Sequence, residues 1–401
     1  MKVLVANLGS TSFKYRLFEV EDDAVEFLSK GGYERVTDYQ SCIKDALRKL
    51  VESEVISTVD DIEAVGFKTV LGHQLTGCVV ADESVIDDLM QGAELAPAHN
   101  PPYAEGIRLF ARETPKAQLV ALFETAFYQW AKPESRRYAV PQSWFGAGVK
   151  RNGFHGASHK HIAERSAELL GRDDIARRVK LLYRGEELQA VEDTPLRVVS
   201  CHLGGSSSVT GILNGVAIDT SMGLSPQSGL PQNNRVGDLD AMAVTFVMKK
   251  LGLSLEQIEK ELTKSSGLLG ISGMSNDVRD IEEAAASGSE EAQIALDVLV
   301  YSIRHYVGAY AFQMGGLDAI VFTAGIGENS SYIRQKVCEG LEGFGLTFDS
   351  TKNDEICASE ACISAENSRI KVFVIPADEE LVVARETYLL ASQQLSAVGN
   401  S

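Results

Sequence analysis

Lys2 to Ala6 is a short β-branched and apolar run, which predicts a buried strand. It ends in the polar stretch Asn7-Leu8-Gly9-Ser10-Thr11-Ser12. From Phe13 to Val20 apolar and polar positions alternate, the pattern of a second strand, and a third is expected near Val25 to Leu28. Residues 38 to 51 read as a helix, Ala64 to Leu71 as a strand, Glu83 to Leu89 as a helix and Gln118 to Phe123 as a strand that ends at Glu124. Pro97, Pro101 and Pro102 lack amide donors, so residues 97 to 102 are expected to form an irregular loop.

The second half repeats the opening pattern. Arg197 to Cys201 reads as a strand that runs into His202-Leu203-Gly204-Gly205-Ser206-Ser207-Ser208. Val209 to Leu213 and Val216 to Thr220 flank Asn214-Gly215, the signal of a type I′ hairpin. Two versions of one unit (strand, Leu-Gly turn with hydroxyls, strand) point to two related domains. Farther on, Glu290 to Met314 is the longest helical signal, with Ile294, Val298, Ile303 and Val307 read as its apolar stripe. Asp318 to Thr323 and Lys371 to Ile375 read as strands, and a terminal helix reaches about Gln394. Residues 172 to 196 are charged, lack clear periodicity and read as an insertion.

Composition narrows the class. At 401 residues, 44% hydrophobic and 23% charged, the chain has the balance of a globular protein of two to three domains. A net charge of −18 repels phosphate backbones, so nucleic acid is not an expected partner. Cysteines 42, 78, 201, 338, 357 and 362 are scattered without a CxxC, which reads as reduced thiols. No apolar run is long enough for a membrane span and the start lacks signal-peptide features, so a cytoplasmic location is expected.

Three Gly/Ser loops each follow a strand: residues 7–12, 202–208 and 324–329, the last expected to open a helix. Such loops offer unobstructed backbone amides and hydroxyls to phosphates, although any one of them alone is an ordinary tight turn. Together they fit a nucleotide in a cleft between two domains. Lys14 follows the first loop within reach of a phosphate, or else is a solvated strand lysine. The guanidinium of Arg235 suits the charge of a transferring phosphoryl group, against the plainer reading of a surface arginine beside Asp238. His155, His159 and His161 invite a metal reading, but His161 would not share a helical face with the others and no thiol or carboxylate completes the set. A role for His155 as a donor to a phosphoryl oxygen fits the loops better. Glu124 and Glu379, each beyond a strand, are the acidic candidates for magnesium, with helix-dipole complementation as the structural reading of Glu379.

At this point the chain resembles the acetate kinases and their propionate-kinase relatives. The matching segments are NLGSTSFKY (7–15), APAHNPP (96–102), FETAF (123–127), GFHGASH (153–159) and CHLGGSSS (201–208). They continue through DTSMGLSPQSGL (219–230), NNRVGDLD (233–240), SNDVRDI (275–281), FTAGIGENS (322–330) and ADEELVVAR (377–385). The resemblance implies a duplicated α/β fold of the actin, Hsp70 and sugar-kinase type, with the active site in the interdomain cleft. It implies an N-terminal domain over residues 1–140, completed by a C-terminal helix at 385–401, and a nucleotide-binding domain over 141–384. The implied reaction is reversible, Mg-dependent (or Mn-dependent) transfer of the ATP γ-phosphoryl group to acetate or a similar short acid, giving ADP and acyl phosphate, by a homodimer.

Residue by residue, the resemblance places Asn7, Ser10, Ser12 and Lys14 at the phosphoryl-transfer centre. Asn7 and Glu379 would serve the metal, and His155 and Arg235 would stabilise the phosphoryl group. His202, Gly204, Gly205 and Ser206 would touch nucleotide phosphates; Asp277, Val278, Arg279, Gly325, Ile326 and Asn329 would enclose the adenosine. Val70, Ala98, Phe154 and Pro226 would wall the acyl pocket, with His99 nearby.

The chain departs from the family at several of these places. Glu124 stands for the catalytic aspartate, Lys68 for the arginine that clamps the substrate carboxylate, and Gly205 for an asparagine. Lysine cannot make an arginine's two parallel bonds, whereas glutamate reaches roughly 1.5 Å farther than aspartate. Ala98 stands for a larger apolar residue, which implies tolerance of acids longer than acetate. The departures leave two other readings open: a nucleotide-binding regulatory homologue with impaired catalysis, and a same-fold kinase with a different acceptor. Pyrophosphate is an alternative donor that the SNDVRDI and AGIGEN segments disfavour.

Overall fold

The apolar runs fold as two sheets of identical topology. The computed structural model describes residues 1–22, 24–185 and 188–399. The first sheet comprises β1 (Lys2–Gly9), β2 (Ser12–Glu21), β3 (Ala24–Glu34), β4 (Ala64–Thr69), β5 (Cys78–Val80) and β6 (Gln118–Phe123), in the order β3-β2-β1-β4-β6-β5. The second comprises β7 (Arg197–Leu203), β8 (Ser207–Leu213), β9 (Val216–Thr220), β10 (Ala319–Thr323), β11 (Ala361–Cys362) and β12 (Lys371–Val374), in the order β11-β12-β10-β7-β8-β9. Adding six to each strand number of the first sheet reproduces the second, read from the opposite edge. In each, three parallel strands (β1, β4, β6; β7, β10, β12) adjoin an antiparallel meander on one side and a short antiparallel edge strand on the other. This is the duplicated α/β fold expected. Its parallel strands are buried on both faces, as continuous apolar runs require.

Asn214 and Gly215 both have positive φ, the backbone of the type I′ turn predicted between β8 and β9. Other expectations are corrected. Residues 97–102 do not all form a loop, because a helix begins at Asn100 and runs to Glu113. Pro101 and Pro102 occupy its first turn, where no amide donor is needed. Residues 172–196 contain a helix, Asp173–Lys180, with acidic residues in its first turn and basic ones in its last; residues 186 and 187 lie outside the described part. The helix Glu290–Gln313 buries Ile303 and Val307 but exposes Ile294 and Val298. At about 100° per residue, Ile303 stands opposite Ile294, so the supposed stripe spans two faces.

The C-terminal helix, Glu379–Gly399, returns to the first sheet. Residues 400 and 401 of the expected 385–401 helix lie outside the described residues. Gly66 in β4 permits the approach, since a Cβ there would sit 2.3 Å from Thr387 Oγ1 and 2.9 Å from Val383 Cγ1. Lys68 shares that face of β4. Glu379, one turn before Val383 on the helix, therefore meets it.

Candidate active site

The candidate residues gather beyond the C-terminal ends of the parallel strands, the end where α/β sheets bind ligands. Lys68 emerges from β4. Leu122 of β6 is its register partner, so Glu124, two residues on, lies on the same side. Lys68 Nζ is 3.1 Å from Glu124 Oε1 and also pairs with Glu379 Oε2. One ammonium thus bridges a carboxylate from the sheet and one from the returning helix. Burial alone would discharge Lys68, but Glu379 and Glu124 outweigh it and hold its pKa well above 10.5. Burial raises the Glu124 pKa against the pull of Lys68, whereas at Glu379 burial is overcome by Lys68 and His202. Glu124 Oε2 is buried with no hydrogen-bond partner. An orphaned carboxylate oxygen beside a second carboxylate suits a hard, oxygen-seeking cation.

Glu124 also positions His155. Its carbonyl accepts from the Gly156 amide at 2.9 Å, and a Cβ at Gly156 would sit 2.3 Å from that oxygen. His155, in the left-handed region at φ 60°, therefore caps the helix Gly156–Leu169 directly beside the Glu124 backbone. Its ring stacks on that of His202 from β7, with centroids 4.0 Å apart and planes 21° apart. His155 Nδ1 lies 2.8 Å from Ser208 Oγ, and His202 Nδ1 lies 2.8 Å from Ser158 Oγ. Burial, then neighbouring imidazoles, then Lys68 and Arg235 push the His155 pKa well below 6.5. Burial takes His202 down to about 4 and also depresses His99 and His159, with Arg235 and Lys68 adding to the effect at His99. These histidines are neutral at physiological pH.

Arg235 is half-buried, and burial lowers its pKa. Its Nη1 donates to Ser206 Oγ at 3.2 Å, to the Pro226 carbonyl at 3.3 Å and to Gln232 Oε1 at 3.4 Å. Among the described residues it has no carboxylate partner, so its charge stays available to an anion. Ser206 belongs to the turn between β7 and β8. A Cβ at Gly204 would lie 3.6 Å from Ala324 Cβ, and one at Gly205 would lie 3.5 Å from Asn233 Nδ2. The second and third loops are therefore neighbours. The first of the expected loops narrows to the turn at 10–11, and Asn7 belongs to β1, where its Oδ1 accepts from Tyr103 Oη at 3.0 Å. Tyr103 in turn feels the charges of Lys68, Glu124 and Glu379, so Asn7 belongs to the same cluster.

Other expected residues are placed differently. Lys14 stands opposite Asn7 in the β1–β2 register, but its ammonium is exposed and pairs with Glu34 at 3.1 Å. Ser10 is exposed and Ser12 half-buried at that turn. Val278 points into the second core, which leaves only its backbone free for a ligand. Asp277 caps its helix, and Arg279, highly exposed, pairs with it. That helix joins the third loop through a bond from Ser330 Oγ to Glu282. The expected third loop is itself a short helix, Ala324–Asn329, in which Gly325 and Asn329 are exposed, Ile326 is half-buried, and Asn329 Nδ2 bonds to the Gly325 carbonyl at 2.8 Å. Ala98 is exposed and lies outside the apolar cluster that Val70 and Phe154 share with Leu71, Ala96 and Met222. Among the expected wall residues, Ala98 thus stands apart from Val70 and Phe154. The sequence reading missed Tyr103, Leu71, Ala96 and Met222. It also missed fully buried Arg334, which donates to the carbonyls of Gly327 and Glu328 and so fixes the short helix Ala324–Asn329.

A model of the Acetokinase family matches residues 29–385. The chain belongs to the acetokinase family. The acetate kinase of Geobacillus kaustophilus is 39% identical over 415 residues, covering 98% of this chain and 99% of that one. The crystal structure of Porphyromonas gingivalis acetate kinase superimposes with a TM-score of 0.86 at 34% identity, covering 97% of this chain and 99% of the other. A propionate kinase from Francisella tularensis gives 0.81 at 31% identity, covering 96% and 99%. The chain is thus a phosphotransferase of the carboxylate-acceptor class, and no described helix is long and apolar enough to cross a membrane. Lys68 and Glu124, where the resemblance leads one to expect an arginine and an aspartate, contact each other directly.

The buried histidines of this acetokinase-family site make stability depend on pH. Their folded pKa values lie below the unfolded value, so the unfolded chain takes up protons first. Their contribution is intact above pH 6.5 and is lost as pH falls below it. For fully buried His159 the loss is about 1.4 kcal/mol per pH unit. Urea denaturation of wild type and His159→Gln between pH 7.5 and 5 should show a stability difference that shifts toward the variant by that slope. A pH-independent difference would contradict the burial argument.

Proposed function

We propose that the chain is a short-carboxylate kinase that reversibly transfers the ATP γ-phosphoryl group to acetate or a similar acid. The observation that carries this reading is the buried bridge of Lys68 between Glu124 and Glu379, next to neutral His155 and uncommitted Arg235. Lys68 leads into Val70 and Leu71, and His155 follows Phe154, so the charged bridge and the small apolar cluster adjoin along the chain. A small amphiphile with one carboxylate and a short tail matches that pairing.

In the forward direction Lys68 turns from its carboxylate partners to anchor the substrate carboxylate, and Glu124 aligns it. A carboxylate oxygen attacks the γ-phosphorus in line. The bond to the ADP oxygen breaks and ADP departs, so charge and atoms balance without a net proton transfer. Arg235 and His155 donate to the equatorial phosphoryl oxygens, so catalysis is largely positioning and electrostatics. Glu379 and Asn7, with the free oxygen of Glu124, would hold Mg2+ or Mn2+, which supplies charge neutralisation at the β- and γ-phosphates. The turn at 204–206, with Gly325 and Asn329, forms the phosphate and adenosine side. Lys14 serves by swinging from Glu34 toward the neighbouring Asn7. We assign the protein to the cytoplasm as a homodimer. Met242, Phe246 and Leu251 on the helix Ala241–Leu251, and Tyr301 and Phe312 on the helix Glu290–Gln313, are exposed large apolar side chains of the kind a second copy would cover.

Trapping acyl phosphate with hydroxylamine, for acids from formate to valerate, tests the reading. ATP should give hydroxamate and ADP in equal amounts with at least one short acid; ADP binding without hydroxamate from any acid would return the regulatory reading. Met222, fully buried in the apolar cluster, should limit tail length. Met222→Ala should raise the butyrate-to-acetate ratio of kcat/KM by about tenfold. An unchanged ratio would remove this cluster from the acyl pocket.

A further inference from the structure

Behind His155 lies a polar chain that no step above uses. His155 Nδ1 is 2.8 Å from Ser208 Oγ, Ser208 Oγ is 2.8 Å from His159 Nε2, and His159 Nδ1 is 2.8 Å from Ser200 Oγ. Ser200, Ser208 and His159 are fully buried, and neither serine hydroxyl has another side-chain or backbone partner among the described residues. Each neutral imidazole carries one proton and each hydroxyl one proton. The sense of the chain can therefore be counted.

Three arrangements make all three bonds. If His155 donates from Nδ1 and the bonds run inward, Ser200 is left with a buried hydroxyl proton and no acceptor. When Ser208 accepts from both rings, its own proton is left idle. If the bonds run outward, Ser200 donates to His159 Nδ1, His159 Nε2–H to Ser208, and Ser208 to His155 Nδ1. Only this sense leaves no buried donor unpaired, and buried donors are rarely left so. It places the His155 proton on Nε2. His155 is partly exposed whereas Ser208 is not, so the accessible edge of the ring is the one bearing Nε2. His202 repeats the arrangement, its Nδ1 held by fully buried Ser158 and its ring stacked on His155.

We infer that Ser208 and His159 are positioning residues that lock His155 as its Nε2–H tautomer, the form able to donate to an anion in the cleft. The inference rests on the carboxylate-kinase reading only for the identity of that anion. A histidine in the other tautomer would present a lone pair to phosphoryl oxygens and repel them.

The test combines 15N NMR of histidine-labelled full-length protein at pH 7.5 with kinetics. A His155→Asn spectrum assigns the His155 resonances. In wild type, His155 should show a protonated Nε2 and an unprotonated Nδ1. Ser208→Ala should give mixed tautomers and lower kcat by at least about tenfold, with both KM values within twofold. Ser208→Thr, which keeps the hydroxyl, should restore the Nε2–H signature and most of kcat. His159→Gln gives a second route, its amide able both to accept from Ser200 and to donate to Ser208, and should also keep the signature. A proton on His155 Nδ1 in wild type, or an unchanged tautomer in Ser208→Ala, overturns the inference. The NMR arm needs no turnover, so it decides the tautomer even if no acid is phosphorylated. Active enzyme with the Nδ1–H form would overturn this inference alone.

Discussion

Arg235→Ala is expected to lower kcat by about a thousandfold, the scale at which a guanidinium stabilises a transferring phosphoryl group. The nucleotide KM should change by less than about threefold. The reason is structural. Arg235 is half-buried, burial disfavours its charge, and its bonds go to a hydroxyl, a carbonyl and an amide oxygen instead of a carboxylate. A charge left so weakly compensated gains most when a partner's negative charge spreads over the in-flight oxygens, as in the transition state. Arg235→Lys should recover only a small part, because an ammonium cannot present two parallel donors. Steady-state kinetics with ATP and the preferred acid give the check. Unchanged kcat, or a loss confined to KM, would take Arg235 out of the transfer step.

Removal of Lys68 has a second large effect, on stability as well as on turnover. Lys68→Met leaves Glu124 and Glu379 buried together without a counter-charge, and breaking a buried pair in this way costs about 3–5 kcal/mol. Without the ammonium, both carboxyl groups have folded pKa values above their unfolded value near 4.5. A raised carboxyl pKa destabilises the folded state at high pH, and the penalty shrinks as pH falls through the folded value. Lys68→Met should therefore lose most stability near pH 8 and regain part of it toward pH 5, a trend opposite to that of the histidines. Lys68→Arg should keep stability within about 1 kcal/mol and retain turnover, since it restores a cation between the two carboxylates. Denaturant titrations of the three proteins across this range give the measurement. A Lys68→Met loss that does not vary with pH would mean that the carboxylates are not the groups left exposed to the change.

Much of the fold was legible because its signals are local. The strand runs, the Asn214-Gly215 turn and the repeated Leu-Gly hairpin each depend on adjacent residues, and the identical strand order of the two sheets follows from that repeat. What failed depended on distance. A stripe through Ile294 and Ile303 looks periodic in a list but turns half a revolution on the helix. Pro101 and Pro102 read as breakers until their place in the first helical turn is known. Of the site, Glu124 and Glu379 were visible as carboxylates beyond apolar strands, His155 as the first histidine of a helix-opening segment and Arg235 as a lone guanidinium beside Asp238. That Lys68 joins Glu124 to Glu379 was not visible, because it requires Gly66 to admit the C-terminal helix. That Ala96 and not Ala98 packs into the apolar cluster was not visible, because the two share one motif and only the fold decides which of them turns inward. The Glu34 partner of Lys14 was not visible either, because it lies at the end of the neighbouring strand β3, twenty residues on.

The most direct measurement concerns whether the groups from both sheets act on one phosphoryl group. Binding of MgADP should be measured calorimetrically with aluminium fluoride and acetate, propionate or butyrate, singly and together. The account predicts that ADP, fluoride complex and acid together bind at least about a hundredfold tighter than ADP alone, and that Arg235→Ala abolishes the gain while leaving ADP binding intact. Tightening that needs no carboxylate, or that survives the loss of Arg235, would contradict it.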